Sequence, residues 1–144
     1  MGLFDFLKPR KERTALDALM ENPLFQQQKA VFDAMNQVCA TGTAEDELPN
    51  GYGIFGFEPT NPIPTNTVMG SATYLSHLSM PDGTKIRSER RGSGRSDVSN
   101  MPIDAYELFL PDGTFIGTIY VSPYHQKNSR KAPKGFKLPF SEIT

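Results

Sequence analysis

Residues 50–75 read NGYGIFGFEPTNPIPTNTVMGSATYL, the densest run of glycine, proline and aromatic residues in the chain. This run joins a helical front half to a strand-rich back half, and it restricts the fold more than any other. Gly51, Gly53 and Gly56 alternate with Tyr52, Phe55 and Phe57. Glycine admits positive φ and close approach of other segments, and the rings bring large apolar area to bury. Pro59, Pro62 and Pro64 follow. Each fixes φ, removes an amide donor and biases its predecessor towards extended backbone. Residues 60–64, TNPIP, are therefore expected to form a stiff extended strap, neither helix nor central strand. Such a strap serves either as a rigid recognition loop or as a cover that packs Phe55, Phe57 and Ile63 over the core. The entropy of ordering it favours burial.

A chain of 144 residues with 38% hydrophobic and 22% charged residues suits one globular domain with one core. The expected division is a flexible basic segment over 1–13 and a single domain over 14–144. The opening MGLFDFLKPRKER places Leu3, Phe4, Phe6 and Leu7 beside Lys8, Arg10, Lys11 and Arg13. It is too short for a secretory signal, and Phe6 breaks the myristoylation pattern. A frayed start is the plainer reading and a weak interfacial anchor the other. No apolar run approaches the ~18 residues of a membrane span. Cys39 is the only cysteine, so no intramolecular disulfide can form and a cytoplasmic location is expected. The net charge of -1 forecasts neither a nucleic-acid binder nor an acidic-substrate enzyme at whole-chain level.

Thr14 starts a short helix with Leu16, Leu19 and Met20 on one face. Asn22 then caps a second helix that has Pro23 in its first position. Leu24, Phe25, Gln28, Val31, Phe32, Met35, Val38 and Cys39 follow the helical period as a core-facing stripe, and Gly42 is expected to end the helix. Cys39, on that stripe, reads as a small buried hydrophobe. Residues 43–49 form an exposed acidic linker. Beyond the strap the chain repeats itself: residues 74–80 lead into Pro81-Asp82-Gly83-Thr84, and residues 106–110 lead into Pro111-Asp112-Gly113-Thr114. Pro, Asp and Gly in this order make a type I turn closed by a bulge. Two β-hairpins are expected, giving about four antiparallel strands. The strand 115–121 is apolar on both sides and should be central, while 85–90 is charged and should be an edge. Residues 90–100, rich in Gly, Ser and Arg, read as a mobile loop. Phe136 and Leu138 tie a basic tail back to the body. The fold class is α+β, with the N-terminal helices packed on an antiparallel sheet.

Catalytic and metal-binding signatures are weak. His77, His125 and Cys39 have no ligand-like spacing, so neither a metal nor a cofactor is expected. A triad of His77, Asp104 and a serine can be drawn, but triads are recognised by geometry and no nucleophile elbow is present. Glu58, Asp104 and Glu107 are scattered carboxylates. Gly92-Ser93-Gly94 lacks the context of a phosphate loop. A non-enzymatic protein is expected.

Charge segregation is the strongest surface signal. Lys85, Arg87, Arg90, Arg91 and Arg95 lie in one stretch, and Lys127, Arg130, Lys131, Lys134 and Lys137 in another. If the stretches 85–95 and 127–137 converge, they form a nucleic-acid or phosphate-binding surface with Tyr124 and Phe136 for stacking. The plainer alternative is two solvated loops. Glu45, Asp46 and Glu47, with Tyr52 and Phe55, make the candidate surface for a protein partner.

GYGIFG at 51–56, TNPIP at 60–64, Tyr74-Leu75, DAYEL at 104–108 with its PDG turn, and SRKAPKGF at 129–136 carry a resemblance to a group of small bacterial proteins of unknown function. It covers roughly residues 50–138. Those proteins in turn resemble immunity or accessory proteins encoded beside bacterial toxins. The resemblance implies protein binding without catalysis and transfers no binding residue. The sequence thus leads to a small cytoplasmic α+β binding protein of immunity type, with the anion-binding module as its alternative and the oligomeric state left open.

Overall fold

A computed structural model describes residues 15–139 of the chain. The expected flexible segment over 1–13 lies outside the described residues. The chain divides into two compact units, residues 1–34 and 35–144. The boundary falls inside a helix, where no linker composition marks it.

In the first unit, α1 (Ala15–Met20) is followed by α2 (Pro23–Ala40), which runs on into the second. Asn22 Oδ1 accepts the amides of Leu24 (2.9 Å) and Phe25 (3.4 Å), so the cap and the proline stand where the sequence places them. Leu24, Val31 and Phe32 are more than half exposed. The apolar stripe of α2 is therefore not core along its length; its one buried residue is Cys39. The helix ends just before Gly42, as expected, though Gly42 does not have a positive φ. The helix closes in tight turns, with Thr41 N–H to Val38 O and Gly42 N–H to Cys39 O, both 3.1 Å. Glycine is needed there for room: a Cβ would overlap the Tyr124 carbonyl and come within 2.6 Å of His125 Cα.

The second unit holds one mixed four-stranded sheet and a helix. The strands are β1 (Ile63–Pro64), β2 (Arg87–Ser96), β3 (Ser99–Phe109) and β4 (Phe115–Ser122), in the spatial order β1-β4-β3-β2. β4 is central and β2 an edge, as their residues require. β1 runs parallel to β4, pairing Ile63 with Val121 and Pro64 with Ser122. The remaining pairs are antiparallel, so the class is α+β but the sheet is not purely antiparallel. The strap supplies the parallel strand and lies at the sheet edge, where its prolines cost no ladder bond.

Both PDG turns form alike. Gly83 and Gly113 sit at φ +91° and +93°, and Asp82 and Asp112 each accept the amide of the threonine two residues on at 2.9 Å. The chain ahead of the first turn is not a strand along its length, however: it is the helix α3 (Thr67–His77), and only a single antiparallel bridge, Ser79 to Lys85, closes the turn. Tyr74, Leu75 and Leu78 are buried, and their spacing of one and three residues is helical, so a hairpin strand over residues 74–80 is the wrong period for this segment. The two hairpins are accordingly β2–β3 and β3–β4. Residues 90–96 are strand and not a mobile loop: an edge tolerates their glycines, and a bulge at Arg91 takes up the irregularity.

α3 begins under constraint. Thr67 has φ +67°, a costly conformation for a β-branched residue. It is held from several sides. Its amide donates to Pro123 O (3.1 Å), and its hydroxyl accepts from Gly70 N–H (3.3 Å). Asn66 N–H donates to Asn128 Oδ1 (2.9 Å). The Asn66 side chain reaches His125 O (2.9 Å) and leaves the capping task to Thr67.

The core joins Tyr74 and Leu75 of α3 and the following Leu78 to Tyr106, Leu108, Ile119 and Val121 of one sheet face, closed by Phe55, Ile63 and Leu138. Phe55 and Ile63 cover the core as the strap reading expects. Phe57 stacks at 6.0 Å on Phe136, and Leu138 is fully buried, so the tail is tied back through both residues expected to hold it.

Candidate functional site

The acidic linker and the basic tail meet each other. Asp46 Oδ1 accepts Arg130 N–H (2.8 Å) and lies 3.3 Å from Lys127 Nζ. Its main-chain carbonyl accepts Ser129 Oγ at 2.7 Å. Glu47 Oε2 pairs with Lys131 Nζ at 2.7 Å, and Glu47 Oε1 accepts Asn61 Nδ2 at 3.3 Å. Partial burial raises the Asp46 pKa, but the Arg130 amide and Lys127 together outweigh it and hold the carboxyl below its ordinary range. Lys131 does the same for Glu47, against a smaller opposing effect of burial. Two groups that the sequence offers as separate surfaces are thus one latch between segments more than 80 residues apart. Each exposed pair contributes about 0–1 kcal/mol. Glu45 is exposed and stands outside the latch.

On β2 the arginines also have acids of their own. Arg87 pairs with Glu89 (2.6 Å) and lies over the Phe109 ring at 4.7 Å. Arg90 pairs with the buried Asp104 (3.0 Å), and Arg91 with Glu107 (2.9 Å). Among the described residues no carboxylate pairs with Arg95.

The loop 50–61 is fixed by its own hydrogen bonds. Tyr52 N–H donates to Thr60 O (3.0 Å), and Thr60 Oγ1 donates back to Tyr52 O (2.7 Å). The Glu58 carboxylate accepts Ile54 N–H. Asn61 Nδ2 donates to Gly53 O (3.0 Å), and Gly56 N–H to Asn61 O (2.8 Å). Gly56 O accepts Tyr120 N–H (2.8 Å), which fastens the loop to β4. Phe55 points inward and is 7% exposed, with Lys131 Nζ 5.0 Å from its ring centre. Tyr52 and Ile54 point outward, 56% and 60% exposed. The β2–β3 hairpin tip docks on this loop: Asn50 Nδ2 donates to Val98 O (3.0 Å), and Ser96 Oγ to Pro59 O (2.6 Å). Tyr52 and Phe55 thus lie on one loop but face opposite ways, and of the two only Tyr52 is exposed to solvent.

Sequence reasoning missed two residues of this region. Ile54 reads as one more core hydrophobe until the turn geometry exposes it. Asn61 looks like turn punctuation, yet it is buried, and its Oδ1 has no hydrogen-bond partner among the described residues. A Thr-Asn-Pro triplet beside three glycines is the one available hint, because such a side chain can supply bonds that a glycine-rich loop lacks.

The imidazoles are placed differently. His77 is exposed in the last turn of α3. His125 is half-buried against a cavity of about 370 Å³ lined by Thr41, Thr43, Leu48, Val98 and Ser99 among others. Thr43 N–H donates to its Nδ1 (2.9 Å). The proton therefore sits on Nε2, which donates to the Oγ of fully buried Ser122 (2.9 Å). In that tautomer His125 cannot take a proton from Ser122. Neither imidazole hydrogen-bonds a carboxylate, and no group of three His, Cys, Asp or Glu residues suited to a metal occurs among the described residues. Cys39 is buried, its Sγ 3.5 Å from Pro123 O.

Burial lowers the His125 pKa below its ordinary 6.5. In the window between that folded value and 6.5 the unfolded chain binds a proton and the folded chain does not. Stability contributed by neutral His125 is then complete above pH 6.5 and declines as pH falls through the folded value. The urea midpoint is expected to drop from pH 7.5 to pH 5, with His125→Asn flattening the decline. An unchanged slope in the variant would assign the effect elsewhere.

Set against family models, curated proteins and solved structures, the chain matches none of them.

Proposed function

We propose that this is a non-enzymatic binding protein that engages a protein partner through the loop 50–61, in the manner of an immunity protein inhibiting a cognate toxin. One observation carries the reading. Tyr52 and Ile54 hold more than half of their surface in water on a loop whose backbone is fixed by at least five internal hydrogen bonds. Exposed large apolar groups on a preorganised backbone lose little entropy on binding and are typical anchors of protein interfaces. The toxin as partner and the cytoplasm as compartment rest on the resemblance over residues 50–138 and on the single, buried cysteine. No helix among the described residues is long and apolar enough to cross a membrane. Anion binding by 85–95 and 127–137 ranks second, since Arg87, Arg90, Arg91, Lys127 and Lys131 already face carboxylates.

The test is quantitative capture. Tagged wild-type protein and a Tyr52→Ala/Ile54→Ala variant are exposed to nuclease-treated native lysate. Wild type should retain one stoichiometric protein, and the variant should bind it about 30-fold more weakly, the scale of a lost hot spot of about 2 kcal/mol. A partner held equally by both, or material that vanishes with nuclease, would overturn the proposal.

A further inference from the structure

A groove of about 370 Å³ lies on the sheet face away from α3. The alternation of β3 defines that face: Tyr106 and Leu108 enter the core with α3, so Ile103 and Ala105 point the other way. These two and Tyr120 form an apolar floor, and Pro59 and the backbone of Gly92 and Gly94 form the walls. A Cβ on either glycine would meet nothing within 4 Å, so the mouth above them is open. Arg91 and Arg95 flank it. Arg91 is matched by Glu107, whereas Arg95 has no carboxylate among the described residues. The rim therefore carries an unbalanced positive charge over an apolar floor.

We infer that this groove receives an acidic segment of the protein partner, with a bulky apolar side chain on the Ile103–Ala105–Tyr120 floor and the neighbouring carboxylate on Arg95. The inference rests on the protein-binding reading above and specifies the chemistry of its partner. Apolar contact supplies the driving force, and a guanidinium fork suits a carboxylate in two-point contact. The occupant enters by its side chain and not as an added strand. Arg91 is an extra residue between the pairs Arg90–Tyr106 and Gly92–Ala105, and this bulge interrupts the edge that an incoming strand would need. The groove is also continuous with the proposed anchor loop. Pro59 belongs to that loop, and Ser96 Oγ bonds its carbonyl at 2.6 Å.

The direct test titrates the ¹⁵N-labelled full chain with acetyl-Phe-Glu-amide, acetyl-Phe-Gln-amide and acetyl-Ala-Glu-amide. The Phe-Glu probe should give saturable shifts confined to Gly92, Gly94, Ala105, Tyr120 and the Arg95 side chain. The other two probes should bind about tenfold more weakly, the scale of one charge-assisted contact or one buried ring. Arg95→Gln, a change at an exposed position, should bring Phe-Glu down to the Phe-Gln level and leave Phe-Gln unaffected. Scattered or absent shifts, equal binding of Phe-Glu and Phe-Gln, or indifference to Arg95→Gln would overturn the inference. The two proposals fail separately. Probe binding with partner capture unmoved by Tyr52→Ala/Ile54→Ala would sink the loop and keep the groove; the reverse result would keep the loop and sink the groove.

Discussion

Alanine at Gly56 is expected to lower the unfolding free energy by about 2–5 kcal/mol, a sum of two independent penalties. Gly56 sits at φ +79°, where a Cβ meets its own carbonyl at a cost of about 1–2 kcal/mol. That Cβ would also come within 2.8 Å of Pro133 Cγ and 3.2 Å of Ile63 Cδ1. Pro133 is a rigid ring and Ile63 is fully buried, so neither can yield cheaply, and overpacking of this kind costs about 1–3 kcal/mol. Gly113 separates the two effects. It has φ +93° and nothing within 4 Å of its would-be Cβ, so Gly113→Ala should lose only the conformational part. Urea unfolding of both variants at neutral pH measures the difference. Equal losses would mean that the strap does not bear on the tail at Pro133, and the packing described for residues 55–63 would be wrong.

That contact between strap and tail shows what the sequence could reveal and what it could not. Local chemistry was legible. Asn22-Pro23 marks a helix start because an Asx side chain and a missing amide both suit that position. Both PDG triplets form the turn that their side chains specify, and the apolar strand 115–121 takes the centre of the sheet while the arginine-rich strand takes its edge. α3 was hidden for two reasons. Its residues, TVMGSATYLSH, are poor in strong helix formers, so tertiary packing of Tyr74, Leu75 and Leu78 has to stabilise it. The PDG turn that follows also favours a hairpin reading of whatever precedes it. Residues 90–96 were hidden because a glycine-rich edge strand looks locally like a loop. Of the candidate site, Tyr52 was visible as an aromatic on a stiff loop, but the side on which it emerges was not. The latch was invisible in principle: nothing in residues 45–47 or 127–131 tells that they meet across more than 80 positions. Their opposite charges therefore read as two interaction surfaces, when most of that charge is spent on holding the chain to itself.

Tyr74 tests the same junction from below. It is 2% exposed within the core, and its hydroxyl donates to Lys131 O at 2.6 Å. Burial raises its pKa, which keeps the hydroxyl a neutral donor at any ordinary pH. Tyr74→Ala removes a buried ring from the centre of α3 and is expected to cost about 3–5 kcal/mol, enough to threaten the fold of a domain this size. Tyr74→Phe is the more informative change. It keeps the ring and removes only the bond to Lys131, with an expected cost of about 1 kcal/mol. The loss should be local. Ser129 N–H, bonded to Pro64 O at 2.8 Å, and Lys137 N–H, bonded to Ser79 O at 2.9 Å, flank the released carbonyl. Hydrogen exchange at these two amides should quicken, while the ladder between β3 and β4 keeps its protection. If exchange quickens throughout the sheet, Tyr74 supports the core as a whole and the tail is not a separately held element. If no amide changes, the latch of Asp46 and Glu47 with Lys127, Arg130 and Lys131 is sufficient to hold the tail, and the charge pairs carry more of this junction than their exposure implies.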